Sequence, residues 1–317
     1  NLPYAKFFHQ MITALLNYIT WTADPILIGH PVTIRWYGLM FVIGFFLGYM
    51  IMKRMFRHEG APEKWLDILL IYVVIATIVG SRLGHVFFYA WDYYSQHPIE
   101  ILYTWEGGLA SHGGTIGLMI AVVLFSIFVT KRSPFWTFDR LVIPIALVGA
   151  LIRIGNLMNH EIYGHPTDLP WGFRFVVNVH QWLQGAEPIF SAPSHPTQLY
   201  EAGCYLALFV LLMWMYWKKN AERRPGLIFG VFFIVLFTSR FIIEFVKNPQ
   251  EDFEIGMTLN MGQWLSIPFI LMGIGFVIYS MMQPPVKLSF PDKFAEQIKA
   301  EKKTAEHPRN TANHKRR

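Results

Sequence analysis

Apolar stretches of membrane-spanning length recur along the chain. They are Ile34–Met55, Leu66–Ala90, Gly113–Thr130, Leu141–Leu157, Pro196–Trp217, Gly226–Val246 and Gly262–Met282. A helix needs about 20 apolar residues to cross the hydrocarbon core. Each stretch is bounded by charge or by Gly/Pro breaks, so the pattern predicts an all-α, polytopic membrane protein with seven transmembrane helices. Ahead of them, Phe7, Phe8, Met11, Ile12, Leu15, Leu16 and Ile19 stand at helical spacing with polar residues between. That pattern predicts an N-terminal interfacial helix in an arm over residues 1–33; a loosely docked terminal helix is the plainer alternative. The core then runs over 34–286, and its long connection 158–195, rich in Gly, Pro and Trp, is large enough for a small head segment. From Lys287 onward the chain is polar and Lys-rich, a pattern that predicts a disordered basic tail over 287–317, drawn to anionic lipid.

Composition narrows the class. The chain is 53% hydrophobic and 15% charged, against about 25% charged in soluble domains. A disordered protein, a secreted disulfide scaffold and most soluble enzymes are excluded. The single cysteine, Cys204, excludes an internal disulfide and a thiolate zinc site. The net charge of +6 does not imply nucleic acid as a partner, because position decides what the cations do. Lys53, Arg54, Arg57 and Lys64 fill the first connection, Lys131, Arg132 and Arg140 the third, and Lys218, Lys219, Arg223 and Arg224 the fifth. The tail holds nine more, whereas the alternate connections hold only Arg174 and Lys247. The positive-inside rule places the cation-rich side in the cytoplasm, which puts the N-terminus outside and the C-terminus inside. No cleavable signal-peptide pattern is evident.

Cations inside spans are functional candidates, since each is costly unless paired or hydrated. Arg82, Arg153 and Arg240 fall in the second, fourth and sixth spans, which all run from inside to outside, and each lies in the outer part of its span. Three arginines at similar depth predict one cationic cavity. The guanidinium fork suits a phosphate. The alternative is that each arginine only pairs with a carboxylate; Glu244 stands four residues after Arg240.

The third span opens with Gly107-Gly108-Leu109-Ala110-Ser111-His112-Gly113-Gly114. Glycines leave the imidazole of His112 unshielded, at the dipole-positive start of a helix that faces outside. An imidazole there can accept a proton; the alternative is a helix-packing glycine cluster with an incidental histidine. Arg153, Asn156 and Asn159 follow at spacing of three and share one helical face, with Glu161 just beyond. Tyr37 starts the first span, as a belt aromatic or with its hydroxyl in the cavity, and His195-Pro196-Thr197-Gln198-Leu199-Tyr200-Glu201 opens the fifth. His160 and His165 mimic a zinc helix but stand five apart, with Gly164 and Pro166 breaking the helix, so no metal is expected. Gly44/Gly48 and Gly80/Gly84 fit close helix packing.

These ordered motifs carry a resemblance. Trp36-Tyr37-Gly38, Gly80-Ser81-Arg82-Leu83-Gly84, His112-Gly113-Gly114, Arg153-Ile154-Gly155-Asn156 with Asn159, Glu161 and Gly164, His195 to Glu201, and Arg240 to Phe245 resemble the prolipoprotein diacylglyceryl transferases of bacterial inner membranes. The resemblance spans about Ile34 to Met282. It implies a multi-pass enzyme of the bacterial inner (cytoplasmic) membrane that needs no cofactor. Its active site faces the periplasmic side. The implied substrates are phosphatidylglycerol and the lipobox cysteine of a preprolipoprotein signal peptide; a thioether forms and glycerol 1-phosphate leaves. It implies that Arg153 and Arg240 act on the lipid phosphate and that Tyr37, His112, Asn156, Glu161 and Gly164 belong to the functional set. Arg240 and Glu244 match as a pair. The catalytic set expected is His112, Arg153, Arg240 and Tyr37. Arg82, Asn156, Asn159, Glu161, Gly164, His195, Gln198, Glu201 and Glu244 are expected to bind substrate. Two positions depart from the family pattern: Leu236 and His85 stand where tyrosine is common, so the hydroxyl of the first is absent or moved to Thr238 or Ser239.

The residue chemistry suits such a transfer independently. A free thiol, with pKa near 8.5, is mostly protonated at neutral pH and needs a base or a cationic field; His112 is the base expected. A phosphate leaving group needs cations. A transporter or channel for anions would carry polar residues into the cytoplasmic halves of the second, fourth and sixth spans, which are nearly all apolar. No Gly-x-Ser-x-Gly elbow or matched aspartate pair in spans supports an intramembrane protease. A receptor-like binding module differs from an enzyme only in turnover.

Overall fold

A computed structural model describes residues 18–104, 107–248 and 257–286. The interfacial helix expected before residue 18 and the basic tail lie outside the described residues. The described chain is helical apart from short strands, and seven of its helices are long and apolar enough to cross a membrane. These are α1 (Trp36–Glu59), α2 (Glu63–Tyr89), α3 (Ser111–Phe125, continued as a π-helical turn to Thr130), α4 (Pro134–Met158), α5 (Thr197–Lys219), α6 (Leu227–Ile243) and α7 (Met261–Met282). The fourth helix starts earlier than its apolar run. Arg140, counted among the cations of the third connection, lies inside it beside Asp139, and both are fully buried.

The chain forms two compact units. The first comprises residues up to Gly48 together with Leu141–Gln283. In it α6 and α7 pack through Gly230 and Gly273, where a Cβ on either glycine would meet the other's carbonyl oxygen at 2.8 Å. Gly44 takes the Val148 side chain, and Gly48 takes Pro144. The connection after α4 folds into a small head. Strand β1 (Ile19–Thr20) pairs in parallel with β4 (Phe173–Arg174), while β2 (Ile26–Ile28) pairs antiparallel with β3 (Ile34–Arg35). Leu157, Phe173 and Phe175 form the head's apolar centre, against which Trp21, Tyr163 and Leu199 pack. The Trp21 indole N–H donates to the Leu157 carbonyl at 3.0 Å, tying arm to helix end.

His160 is the polar pin of this head. It is buried, in the left-handed region at φ 57°. Its Nε2 lies 2.9 Å from the Ala23 carbonyl, and its Nδ1 accepts from the Val176 N–H at 3.1 Å. That pair of partners fixes the neutral tautomer with its proton on Nε2. The zinc-like pair of sequence is thereby explained on one side, since both ring nitrogens of His160 face backbone.

The second unit holds Tyr49–Arg140. Here α2 and α3 meet backbone to backbone: a Cβ on Gly113 would collide with the Gly80 carbonyl oxygen, and one on Gly84 would lie 2.6 Å from the Gly113 Cα. At the other end of the unit, Arg140 Nε binds Glu59 at 2.9 Å with both side chains sealed from solvent. Trp136 donates its indole N–H to the same carboxylate at 2.8 Å. Such a pair is stable only when its remaining polar atoms are also satisfied.

Gly113→Ala is expected to force α2 and α3 apart. Overpacking typically costs about 1–3 kcal/mol, so the melting temperature in detergent should fall; an unchanged melting temperature would contradict this contact. A second expectation concerns pH. Burial pushes the His160 imidazole below its ordinary 6.5, and burial and His165 act in the same direction on His195. The unfolded chain then binds protons more readily than the folded one, so stability is present above the ordinary histidine pKa and declines as pH falls below it. Thermal melts from about pH 7.5 to about pH 5 should show this loss, and His160→Gln should flatten the profile; equal profiles for both proteins would contradict it.

Candidate active site

The polar residues of the first unit converge where α4 ends and α5 begins. The end of α4 presents Arg153 and Asn156 on one face. Arg153 Nη1 donates to Asn156 Oδ1 at 3.2 Å. Asn156 and Asn159 both donate to one oxygen of Glu161, at 2.9 and 3.0 Å. Glu161 is exposed while Asn156 is buried, so the carboxylate stands at the mouth of the group and the amides hold it from beneath. Tyr37 packs its ring on Gly155, where a Cβ would lie 2.8 Å from Cδ2, and it feels the charges of both Glu161 and Arg153.

The start of α5 clamps the turn that follows α4. Gln198 is fully buried and donates to the Glu161 carbonyl at 2.6 Å, and Thr197 donates to the Ile162 carbonyl at 2.9 Å. His195 contributes its backbone, receiving the Gly164 N–H at 2.9 Å, and its ring Nδ1 lies 3.2 Å from the Tyr200 hydroxyl. Gly164 is a packing position. A Cβ there would collide with the Val246 carbonyl oxygen and lie 2.8 Å from Thr197 Cγ2.

Below this clamp lies a chain of alternating charge. Glu201 is buried at 1% exposure, yet it serves two cations: Arg153 Nε at 2.8 Å and Lys247 Nζ at 3.4 Å. Lys247, itself at 3% exposure, also reaches Glu244 at 3.9 Å. The pairing of Glu244 with Arg240 considered from sequence therefore does not occur. The Glu244 carboxylate faces Lys247 and the start of α7, where a Cβ on Gly262 would meet it at 2.6 Å. Arg240, half-buried in the last turn of α6, has no hydrogen-bond or ion-pair partner among the described residues.

Two members of this group were missed by sequence reading. Lys247 was counted as a loop cation, although its spacing of three from Glu244 was visible. Tyr205 was lost in an apolar run, although it stands four residues after Glu201 on the same helix face. It is 7% exposed, packs on Gly149, where a Cβ would lie 3.1 Å from its Cδ2, and feels Glu201, Arg153 and Arg240. Of the alternatives for the hydroxyl missing at position 236 (absent, or moved to Thr238 or Ser239), Ser239 turns its Oγ to the Leu236 carbonyl of its own helix at 2.8 Å.

Arg82 and His112 belong to the second unit. Arg82 is buried, and its guanidinium donates to the backbone carbonyls of Ile101 at 2.9 Å, Gly107 at 2.7 Å and Glu100, with the Tyr94 ring 4.9 Å away. It organises the segment before α3. His85 rests against that segment, where a Cβ on Gly108 would meet its ring at 2.7 Å. His112 is exposed in the first turn of α3, with its Nε2 3.2 Å from the Tyr89 hydroxyl and its ring edge-on to Phe88. The same unit has a wholly apolar groove of about 720 Å³ along α2 and α3, lined by Ile75, Val79, Leu83, Ile116 and Ile120. It offers room for an acyl chain and no partner for a headgroup.

Fold and site thus define a polytopic membrane protein with a buried network of alternating charge and, beside it, the Arg240 guanidinium without an ion-pair partner among the described residues. Residues 25–279 match the family model of prolipoprotein diacylglyceryl transferase, and the chain belongs to that family. A phosphatidylglycerol–prolipoprotein diacylglyceryl transferase of Porphyromonas gingivalis is 51% identical over 84% of this chain and 96% of its own length. Proteins of the same name from Tolumonas auensis and Chloroherpeton thalassium are 48% and 41% identical, over 82% and 84% of this chain and 96% of theirs.

Removing the shared acid should release two cations at once. Glu201→Gln is expected to destabilise the protein by about 3–5 kcal/mol, the cost of breaking a buried pair from one side. Thermal unfolding in detergent checks this, and a shift of under about 1 kcal/mol would contradict the shared role.

Proposed function

We propose that this chain transfers the diacylglyceryl group of phosphatidylglycerol to the lipobox cysteine thiol of a preprolipoprotein, the first step of lipoprotein maturation. Family membership and the activity for which relatives up to 51% identical are named support the reaction. The observation that carries the site is the unpaired Arg240. Among the described residues Arg240 has no ion-pair partner, whereas Lys247 lies 3.4 Å from Glu201 and 3.9 Å from Glu244. A half-buried cation in an apolar setting favours an anionic ligand, and the phosphodiester of phosphatidylglycerol supplies one.

In this reading the cysteine sulfur attacks the glyceryl carbon. The carbon–oxygen bond to phosphate breaks, and glycerol 1-phosphate leaves with the electron pair. Arg240 and Arg153 oppose the charge that develops on that group. Asn156, Asn159 and Glu161 hold Arg153 and orient the polar headgroup. His112 takes the thiol proton; its exposure and imidazole chemistry support this role. Tyr37 bounds the site over Gly155, while Gln198, His195 and Gly164 fix the turn that carries Glu161. Arg82 acts through the segment it organises. The twenty lysines and arginines clustered in alternate connections and the tail support an inner-membrane topology with N-terminus outside, C-terminus inside, and the site open to the periplasmic leaflet.

Purified protein incubated with phosphatidylglycerol and a lipobox peptide should yield a thioether-linked product by mass spectrometry, and a peptide with serine for cysteine should yield none. Arg240→Ala should lower kcat/KM by about 10²–10³, the loss typical of one group opposing transition-state charge. Near-normal turnover would remove Arg240 from the reaction, and near-normal turnover of His112→Ala would remove His112 as base.

A further inference from the structure

Tyr205 is a buried phenol that the reaction described so far does not use. Its position follows from two rungs between antiparallel helices. On α5, Glu201 and Tyr205 are four apart; on α4, Gly149 and Arg153 are four apart. Arg153 Nε lies 2.8 Å from Glu201, and the Tyr205 ring lies against Gly149, where a Cβ would come within 3.1 Å of its Cδ2. A long side chain on a helix leans toward the helix N-terminus, so the Tyr205 hydroxyl is carried from the Gly149 rung toward the Arg153 rung. The absence of a Cβ at Gly149 is what lets the ring lie flat enough to reach.

The hydroxyl therefore stands beside Arg153, and its ring is also in the field of Arg240. Arginine is a pure donor, so Arg153 can only donate to the phenolic oxygen. Among the described residues no oxygen or nitrogen accepts the phenolic proton in return. The acid of this neighbourhood, Glu201, is paired by charge with Arg153 and Lys247, and its Oε2 accepts no hydrogen bond among the described residues. A nine-tenths buried phenol whose proton no described residue accepts, beside Arg153 and within the field of Arg240, matches a site awaiting an anionic oxygen.

We propose that Tyr205 is a substrate-contacting residue whose O–H donates to a phosphodiester oxygen of phosphatidylglycerol held by Arg153 and Arg240. This rests on the transferase reading above. Tyr205 supplies a neutral donor beside Arg153: it adds a directed hydrogen bond without adding charge that a further buried acid would have to balance. It also ties lipid recognition to α5, whose start clamps the Glu161 turn.

The test is Tyr205→Phe, which keeps the ring on Gly149 and removes only the hydroxyl, with Tyr205→Leu as a second variant that removes the ring as well. Steady-state transfer is measured with phosphatidylglycerol in mixed micelles and a lipobox peptide, each varied in turn, alongside thermal melts. A hydrogen bond to a charged acceptor predicts at least about a tenfold fall in kcat/KM for phosphatidylglycerol, with the peptide KM and the melting temperature unchanged in Tyr205→Phe. Tyr205→Leu should lose at least as much activity and some stability. Unchanged lipid kinetics in Tyr205→Phe would overturn the inference. So would equal losses toward both substrates together with a lowered melting temperature, the mark of a packing role. If the unsubstituted protein transferred nothing from phosphatidylglycerol, the transferase reading itself would fail, and this inference with it.

Discussion

Charge taken into an apolar interior has to be balanced, and in the first unit one carboxylate sets that balance. Glu201, almost wholly buried, is shared by Arg153 and Lys247. Because Lys247 also engages Glu244, the acid nearest to Arg240 in sequence is drawn away from it. The network thereby satisfies Arg153 and Lys247 and leaves Arg240 for something else. A half-buried cation in an apolar setting is disfavoured, so water or an anionic ligand is needed to complete the arrangement. Binding and stability are thus two faces of one electrostatic constraint.

The scaffold makes that constraint possible. Glycines at helix contacts let α2 meet α3 and α6 meet α7 closely, and Gly149 and Gly155 receive the rings of Tyr205 and Tyr37. Gln198 and Thr197 hold the turn after α4 by its carbonyls, which fixes Glu161 over the two asparagines. The head adds a small aromatic centre and the neutral His160, whose two ring nitrogens join the arm to the chain after α4.

Much of this was legible in the sequence because it is periodic. Seven apolar runs of membrane length gave seven helices, and the spacing of Arg153, Asn156 and Asn159 put them on the face where Arg153 meets Asn156 and both amides meet Glu161. Pairing between elements was not legible. Glu244 sits one turn after Arg240 and looks like its partner, but Lys247 competes from the next turn, and only the fold shows which wins. Arg82 was expected to bind substrate as a cation within a span; its guanidinium donates to backbone carbonyls of residues 100, 101 and 107, partners that spacing along the chain does not reveal. Tyr205 was invisible because an aromatic in an apolar span is ordinarily packing, and its polar tip is revealed only by the helix opposite.

The most direct test is a structure of the protein with phosphatidylglycerol bound in a lipid nanodisc. The account predicts the lipid phosphate within hydrogen-bonding distance of the Arg240 guanidinium, with Glu244 still turned to Lys247. A phosphate bound away from Arg240, with that guanidinium closed onto Glu244, would contradict it.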